Sequence, residues 1–359
     1  MPFNDSRLIK EVESVKKLGF NSRIICWNRD EGNSDAPFKS ANLIKLILRA
    51  PYGPSYILLL PIWWTFIFIN IIRSKSDVIH AFNCDSIVPS VLAGKFKGIP
   101  IIYEIEDTKI DAFSIPFFIR NILLAADKLF IYLSNAIVLV DENQINEFSG
   151  IPNDNVYIIY DSAIDVFDET NLELKNKKDQ LAITYIGVLN KRRNLNLDKL
   201  CRAIVDLPDV RLSIAGYGDL VDDIKIWADQ SKAITFLGKI DYIDALNLSA
   251  KSDILVVLRD NKIMINKYIC GSKIWEAMMC GKPILANKGT STAKKVLEEN
   301  CGILVDAENI EDIKKAIINL RDNPELRKEL GANGRNAYEK RYNWAIMEQR
   351  LLTIYVKLA

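Results

Sequence analysis

Short apolar segments and helical segments alternate along this chain. Residues 77–81, 99–105 and 136–140 have the length and apolar composition of buried strands, and helical patterns at 87–96 and 115–133 separate them. Strands that alternate with helices in this way are typical of a parallel, doubly wound sheet with helices on both faces. The sequence therefore predicts an α/β protein.

The same pattern begins again in the second half of the chain, after a polar and charged stretch. At 359 residues the chain is too long for one ordinary hydrophobic core. We predict an N-terminal domain at 1–163, a linker at 164–180, a C-terminal domain at 181–343 and a terminal helix at 344–359. Strands of the C-terminal domain are predicted at 182–187, 210–215, 234–239, 254–258 and 303–305.

Composition excludes several classes of protein. The formal net charge is +1, and a chain without a basic excess is not expected to bind nucleic acid. Six cysteines are scattered without a Cys-x-x-Cys pair, and His80 is the only histidine, so we expect reduced thiols and no zinc site. Residues 1–5 have neither a basic nor an apolar leader pattern, which favours a cytoplasmic protein.

The segment 266–286 carries the most specific chemistry. A helix is predicted to begin at Gly271-Ser272, with the serine as N-cap, and to end at Gly281. The backbone N–H groups at such a helix start, together with Lys273, suit a phosphate. Glu276 lies one turn further on, where its carboxylate can accept hydrogen bonds from two neighbouring hydroxyl groups. A diphosphate with a ribose beside it describes a nucleotide-sugar site.

This segment resembles a known motif. Ser272-Lys273-x-x-Glu276-Ala277-Met278-x-x-Gly281-Lys282-Pro283-Ile284 is similar to the donor-site motif of the retaining glycosyltransferases of family 4, which have the GT-B fold. Three further patterns follow predicted strands in the family's order: Tyr185-Ile186-Gly187, Ile214-Ala215-Gly216-Tyr217-Gly218 and Phe236-Leu237-Gly238-Lys239. The resemblance implies two Rossmann-like domains facing across a cleft, with the C-terminal helix crossing back to the first domain.

Two features depart from the family's pattern. Many members carry a Glu-x7-Glu signature that ends at the position of Glu276, and here Tyr268 replaces the first glutamate. Some relatives share that absence and have a Ser/Pro-x-Lys motif, which this chain resembles more closely. The family's first strand is also missing before the helix predicted at 5–18, and we interpret this as a truncation at the N-terminus.

The resemblance implies a set of donor-binding residues. Within Lys191-Arg192-Arg193 we choose Arg193 for the phosphates, because arginine can grip two oxygens at once, although a solvated loop is the alternative. Gly216 and Gly218 fit a tight turn equally well. Lys273 and Glu276 could form an ordinary i, i+3 ion pair. The predicted donor set is Gly187, Arg193, Gly216, Gly218, Lys239, Tyr268, Gly271, Ser272, Lys273, Glu276, Thr290 and Ser291.

Polar residues also follow the strands of the first domain. Ligands bind at the carboxyl ends of parallel strands, so the acceptor side is expected to include His80, Asn83 and Asp85. Many family members have a histidine at the position of Glu106. The residues to which we assign catalytic roles are Glu106, Asp107, Arg193 and Lys273. Glu106 could instead pair with Lys109, and His80 could be a satisfied histidine of the core or rim.

The segment 57–72 is apolar almost throughout and contains Trp63-Trp64. It is slightly short for a membrane span, contains Pro61 and Asn70, and lies inside a domain. We favour a buried helix packed on the sheet. The alternatives are an amphipathic contact with a membrane surface and a true span.

These inferences predict a retaining glycosyltransferase that moves a sugar from a nucleotide-sugar to a glycan, lipid-linked or small-molecule acceptor, in the cytoplasm or at the inner face of the membrane. Retention rests on the resemblance alone. No metal is expected, because cations of the site would meet the charge of the leaving diphosphate. Two alternatives stay open: a non-catalytic nucleotide-sugar-binding partner subunit, and a nucleotide-sugar epimerase, against which the single histidine argues.

Overall fold

The computed structural model describes residues 6–29, 41–50, 54–106, 117–148, 153–165, 180–191 and 195–359. The chain divides into two compact units. The first contains residues 1–160 and 347–359, and the second contains residues 161–346. Both units are built on parallel sheets, which confirms the predicted α/β class.

Helices and strands alternate through the first unit. Its strands are β1 (Arg23–Asn28), β2 (Asn42–Ile47), β3 (Ile79–Phe82), β4 (Ile101–Ile105), β5 (Ala136–Leu139) and β6 (Val156–Ile158). Its helices are α1 (Ser6–Lys17), α2 (Leu60–Arg73), α3 (Cys84–Lys97), α4 (Phe117–Leu133) and α5 (Gln144–Glu147), with 3-10 segments at Pro54–Leu59 and Asn153–Asn155.

The described strands of the first unit form two parallel sheets. One has the order β3-β4-β5-β6, and the other pairs β1 with β2. β2 was not predicted from the sequence, because it begins with Asn42 and Lys45 interrupts its apolar residues. The described residues of the first unit begin with α1.

Both faces of β1 are covered. The Trp27 ring lies 5.7 Å from the Trp63 ring of α2, between centroids, whereas Ile24 and Cys26 point to the other face and pack with Leu8 of α1. Neighbouring residues of a strand point to opposite faces, so a strand buried on both sides is apolar throughout.

Helix α2 is only half covered. Trp63, Ile67 and Ile71 follow one another at four-residue spacing and are buried, so the prediction of a buried helix is confirmed for one face. The other face and the preceding turn expose Ile57, Leu58, Ile62 and Ile69. By length and composition the helical segment Ser55–Arg73 is also sufficient to cross a membrane.

The second unit repeats the alternation. Its strands are β7 (Leu181–Val188), β8 (Val210–Tyr217), β9 (Ile234–Gly238), β10 (Ile254–Val257), β11 (Ile284–Asn287) and β12 (Gly302–Val305). Its helices are α6 (Leu197–Val205), α7 (Val221–Gln230), α8 (Tyr242–Lys251), α9 (Ile265–Tyr268), α10 (Lys273–Met279), α11 (Ser291–Glu298), α12 (Ile310–Asp322) and α13 (Pro324–Ala337). A π-helical turn at Tyr338–Tyr342 follows α13, and α14 (Trp344–Leu358) ends the chain.

The sheet of the second unit is parallel, with the order β12-β11-β10-β7-β8-β9. The chain builds outward from β7 through β8 to β9 and then continues on the other side of β7 with β10. The connections therefore reverse between β7 and β10, and ligands of doubly wound sheets bind at the carboxyl ends of strands beside such a reversal.

Helix α14 belongs to the first unit from Met347 onward. The backbone N–H of Tyr160 lies 3.2 Å from the Met347 sulfur, and Arg350 donates a hydrogen bond of 2.9 Å to the carbonyl oxygen of Ile158. These contacts fix the end of the chain on β6 and the residues that follow it.

Candidate functional site

Several of the predicted donor residues lie at or after the carboxyl ends of strands of the second sheet. Gly187 is the residue before the last of β7. Gly216 is the residue before the last of β8, and Gly218 follows that strand directly. Gly271 precedes α10, and Thr290 follows β11. Arg193, in the predicted phosphate loop, lies outside the described residues.

The glycines after β8 are required by their surroundings. A Cβ on Gly216 would collide with the carbonyl oxygen of Gly187, and a Cβ on Gly218 would collide with that of Leu189. Gly218 also has a φ of +142°, which side chains rarely allow. The tight-turn interpretation of these glycines is therefore confirmed, while a contact with the donor stays a prediction.

Helix α10 holds the predicted cation and carboxylate together. The Lys273 ammonium lies 3.0 and 2.8 Å from the two carboxylate oxygens of Glu276. The Glu276 residue is 5% exposed and the Lys273 side chain 31% exposed, so the pair is fixed at the border between core and solvent. Ser272 takes the predicted N-cap position but makes no side-chain cap hydrogen bond. Gly281, with φ +62°, follows the helix as predicted.

One thiol near this pair is not a nucleophile. Burial raises the pKa of Cys280 to about 12, and the Glu276 charge adds to that shift. All six cysteines are free, as predicted, and all but Cys84 are buried.

A cation that was not predicted from the sequence lies at the end of β10. Arg259 follows Leu258 directly, and its carbonyl oxygen accepts a hydrogen bond of 2.9 Å from the Asn287 side chain. A Cβ on Gly271 would lie 2.5 Å from Nη2 of Arg259. The one signal in the sequence was a charged residue immediately after an apolar strand, at the edge where ligands bind.

The predicted hydroxyl groups after β11 are used inside the unit. Thr290 Oγ1 accepts a hydrogen bond from the Ala293 N–H at 3.1 Å and donates one to the carbonyl oxygen of Asn287 at 2.9 Å, so it caps α11. Ser291 is fully buried, and its Oγ lies 3.2 Å from the Cys270 sulfur.

Lys239 and Tyr268 complete the described donor candidates. Lys239 follows β9, is exposed, and places its ammonium 5.2 Å from the centroid of the Tyr217 ring. Tyr268 ends the short helix α9 and is half-buried. Lys191 pairs with Asp223 at 3.0 Å, so at least this member of the basic loop has a partner on α7.

In the first unit, Glu106 is held at the end of β4. The Asn83 amide donates to Glu106 Oε2 at 3.1 Å, and the Glu106 N–H donates to Asn83 Oδ1 at 3.0 Å. Asn83 has a φ of +59°, a conformation that costs about 1–3 kcal/mol and is concentrated at functional sites. Asp85 is buried in the first turn of α3. Asp107 lies outside the described residues.

His80 has close polar neighbours at both ring nitrogens, in line with the alternative that the sequence left open. Its Nε2 lies 2.9 Å from Glu104, and its Nδ1 lies 2.9 Å from the Tyr355 hydroxyl. The imidazole is 9% exposed. A contact between His80 and the acceptor stays a prediction.

Buried charges of the first unit surround Arg7 of α1. Its guanidinium pairs with Glu104 and, at 3.1 Å, with Glu11. Burial raises the pKa of Glu11 well above its usual value, and the charge of Glu104 adds to this. Burial also acts to raise the pKa of Glu104, but Arg7 and His80 outweigh it and hold that pKa below its usual value.

Glu11, His80 and Glu104 also have the donor atoms of a metal site, all within 4.8 Å of one another. The Arg7 guanidinium, however, already provides the cation for both carboxylates. A metal ion would have to displace it, so these residues do not fit a metal.

Part of the chain is similar in sequence to known glycosyltransferases. Residues 167–337 match the family described as Glycosyl transferases group 1. An uncharacterized glycosyltransferase of Methanocaldococcus jannaschii is 29% identical over 197 residues, which are 52% of this chain and 48% of that protein. The GDP-mannose-dependent monoacylated alpha-(1-6)-phosphatidylinositol monomannoside mannosyltransferase of Corynebacterium glutamicum is 31% identical over 156 residues. These residues are 43% of this chain and 40% of that protein. The matches thus span about half the length of these relatives.

Solved structures share the fold over almost the whole chain. Sucrose-phosphate synthase from Thermosynechococcus elongatus has a TM-score of 0.79 and 16% identity, covering 98% of this chain and 92% of that one. HepE from Anabaena, solved with UDP and glucose, has a TM-score of 0.72 and 15% identity, covering 98% and 95%. Residues 167–337 are thus similar to the group 1 glycosyltransferases, and the chain as a whole has the GT-B fold of these solved structures.

Proposed function

We propose that this chain transfers a hexosyl group from a nucleotide-sugar to an acceptor with retention of configuration. The observation that carries the proposal is the buried Glu276 paired with Lys273, beside the strand reversal and inside the segment that matches the family. A fixed carboxylate and a fixed cation at this edge suit the two polar parts of a nucleoside diphosphate.

The donor half of the reaction is assigned to the second unit. Glu276 accepts hydrogen bonds from the ribose hydroxyls, and Lys273 and Arg193 stabilise the charge that develops on the leaving diphosphate. Electrostatic stabilisation of this kind by prepositioned groups is usually the largest catalytic contribution, and removing one donor group costs roughly 100- to 1000-fold in kcat. Under this proposal these cations replace a metal ion.

The acceptor half is assigned to the first unit. Glu106, fixed by Asn83, orients the attacking hydroxyl and accepts its proton, and Asp107 assists it. Asp85, the other carboxylate predicted on the acceptor side, is buried in the first turn of α3. Proton transfer to a positioned carboxylate contributes typically 100- to 10,000-fold.

GDP-mannose is the first donor to test, since one relative is named as a GDP-mannose-dependent mannosyltransferase. Phosphatidyl-myo-inositol mannosyltransferases of Mycobacterium are further relatives, such as that of M. leprae, which is 25% identical over 208 residues. UDP-glucose is the second donor, because HepE binds UDP and glucose. A lipid-linked acceptor follows from the same names.

A surface of the first unit fits a lipid-linked acceptor. Helices α2 and α3 pack side by side, and Lys97 of α3 donates to carbonyl oxygens at the end of α2, at 3.3 Å for Ile71 and 3.2 Å for Ile72. Near these ends Phe96 is 80% exposed, beside the exposed Lys95 and Arg73. Apolar and basic side chains in one surface favour peripheral contact with an anionic membrane at its inner face.

The test is transfer from a panel of nucleotide-sugars to lipid and sugar acceptors, with the anomeric configuration of the product read by NMR. We expect release of nucleoside diphosphate that depends on acceptor, and an α-linked product from an α-linked donor. Glu276→Gln should abolish turnover and retain the thermal unfolding temperature of the wild type. Nucleotide binding without turnover would instead indicate a non-catalytic partner subunit, and isomerised donor without acceptor would indicate an epimerase.

A further inference from the structure

Arg259 and Gly271 meet at the edge of the second sheet, where the proposed function places the donor. Arg259 lies just beyond β10, and Gly271 lies two residues before α10. A Cβ on Gly271 would be 2.5 Å from Nη2 and 2.7 Å from Cζ of Arg259. The guanidinium therefore packs directly against the glycine backbone.

Gly271 is a glycine because of space and not because of backbone conformation. It is absent from the glycines with positive φ, so an L side chain could adopt its φ without strain. The atoms that any side chain would meet belong to the Arg259 guanidinium. The lack of a side chain at 271 thus leaves the guanidinium in its place.

The backbone of Arg259 is fixed as well. Its carbonyl oxygen accepts a hydrogen bond from Asn287, and the preceding carbonyl oxygen of Leu258 accepts one of 3.0 Å from Asn196. Two side-chain amides from β11 and from the start of α6 thus hold the end of β10. A guanidinium on such a support is prepositioned for a planar, two-oxygen ligand.

We propose that Arg259, seated on Gly271, binds an oxyanion of the nucleotide-sugar. The oxyanion is either the diphosphate or a carboxylate on the sugar, and each offers two acceptor oxygens to the guanidinium. This inference rests on the proposed function, because it assigns the donor to this edge.

The test uses four chains: wild type, Arg259→Gln, Gly271→Ala and the double variant. Affinities for GDP, UDP, UMP, UDP-glucose and UDP-glucuronate are measured by titration calorimetry. Gly271→Ala adds one methyl group against the movable end of a side chain, so it should displace the guanidinium and leave the unfolding temperature unchanged.

If Arg259 binds the diphosphate, Arg259→Gln lowers the affinity for GDP or UDP by roughly 10- to 100-fold and lowers the affinity for UMP much less. If it binds a sugar carboxylate, the affinity for UDP stays the same and only the affinity for UDP-glucuronate falls. Gly271→Ala should reproduce part of either loss in the wild type and add nothing in the Arg259→Gln chain, because the two residues act as one unit.

Equal affinities of wild type and Arg259→Gln for every nucleotide would overturn the inference and leave the proposed function standing. A loss from Gly271→Ala that persists in the double variant would overturn the role of Gly271. A wild-type chain that binds none of the nucleotides contradicts both the inference and the proposed function.

Discussion

The Lys273 ammonium lies within 3.0 Å of both carboxylate oxygens of Glu276, three residues later on the same helix. Glu276 is largely buried, so Lys273 balances a charge that is mostly shielded from water. The pair therefore has a structural role that can be separated from its proposed role in donor binding.

Removing the lysine should destabilise the second unit. Lys273→Met leaves the buried carboxylate without its cation, which we expect to cost roughly 1–3 kcal/mol in the free energy of unfolding. Lys273→Arg should retain most of that stability. Thermal and urea unfolding of the full chain measure both, and a Lys273→Met chain as stable as Lys273→Arg would show that Glu276 does not depend on this partner.

Alanine at Gly216 should be far more harmful than alanine at Gly238. A Cβ at position 216 would collide with a backbone carbonyl group, whereas a Cβ at position 238, where φ is +69°, would meet open space. We expect a loss of roughly 3 kcal/mol or more for Gly216→Ala. Gly238→Ala should lose about 1–2 kcal/mol, from its left-handed backbone alone. Similar unfolding temperatures for the two variants would contradict the close approach of the β7 and β8 ends.

Asp127 of α4 should make the stability of the first unit depend on pH. Burial raises its pKa from 3.8 to about 6, although the hydrogen bond from the Tyr103 hydroxyl, 2.9 Å long, opposes the shift. A carboxyl group with a raised folded-state pKa contributes stability below its unfolded pKa and loses it as the pH rises through 6. The shift corresponds to about 3 kcal/mol between pH 4 and pH 8.

Asp127→Asn keeps an acceptor for Tyr103 and removes the charge. We expect this variant to be more stable than the wild type at pH 8 and to have a flatter stability profile between pH 4 and pH 8. Chemical unfolding across that range measures the difference. Parallel profiles for the two chains would show that Asp127 is not the titrating group.

Membrane contact is predicted to depend on the exposed ends of α2 and α3. Phe96→Asp should lower co-sedimentation with anionic vesicles by roughly tenfold. It removes an apolar side chain that would be buried in the membrane, and it adds a negative charge that the anionic lipids repel. Leu297→Asp is the control, since Leu297 is 68% exposed and lies on α11 of the second unit. Equal losses in the two variants would refute a specific surface at α2 and α3.

Much of the fold was accessible from the sequence because buried parallel strands are apolar throughout. β4 and β10, with each residue buried, were predicted within two residues of their ends. β2 was missed because its residues are half-buried or exposed and include Lys45. The covered face of α2 was predicted correctly, but its exposed face was not, since an all-apolar segment does not show which side meets the core.

The candidate site was predicted in part. The Glu276 motif placed a carboxylate and a cation on one short helix, and the structure shows that they pair. Arg259 was not predicted, because its position depends on the fit of a side chain over Gly271, twelve residues later in sequence. Likewise, nothing in the residue types of Thr290 and Ser291 distinguishes a ligand contact from a helix cap and a buried hydroxyl.

The central claim is that the edge carrying Glu276 binds a nucleoside diphosphate. The most direct measurement is titration calorimetry of GDP and UDP with the wild-type chain and with Glu276→Ala at one salt concentration. We predict micromolar affinity of the wild type for at least one of the two nucleotides, and a loss of roughly tenfold or more in Glu276→Ala. Equal affinity of the two chains, or no binding to the wild type, would contradict the claim.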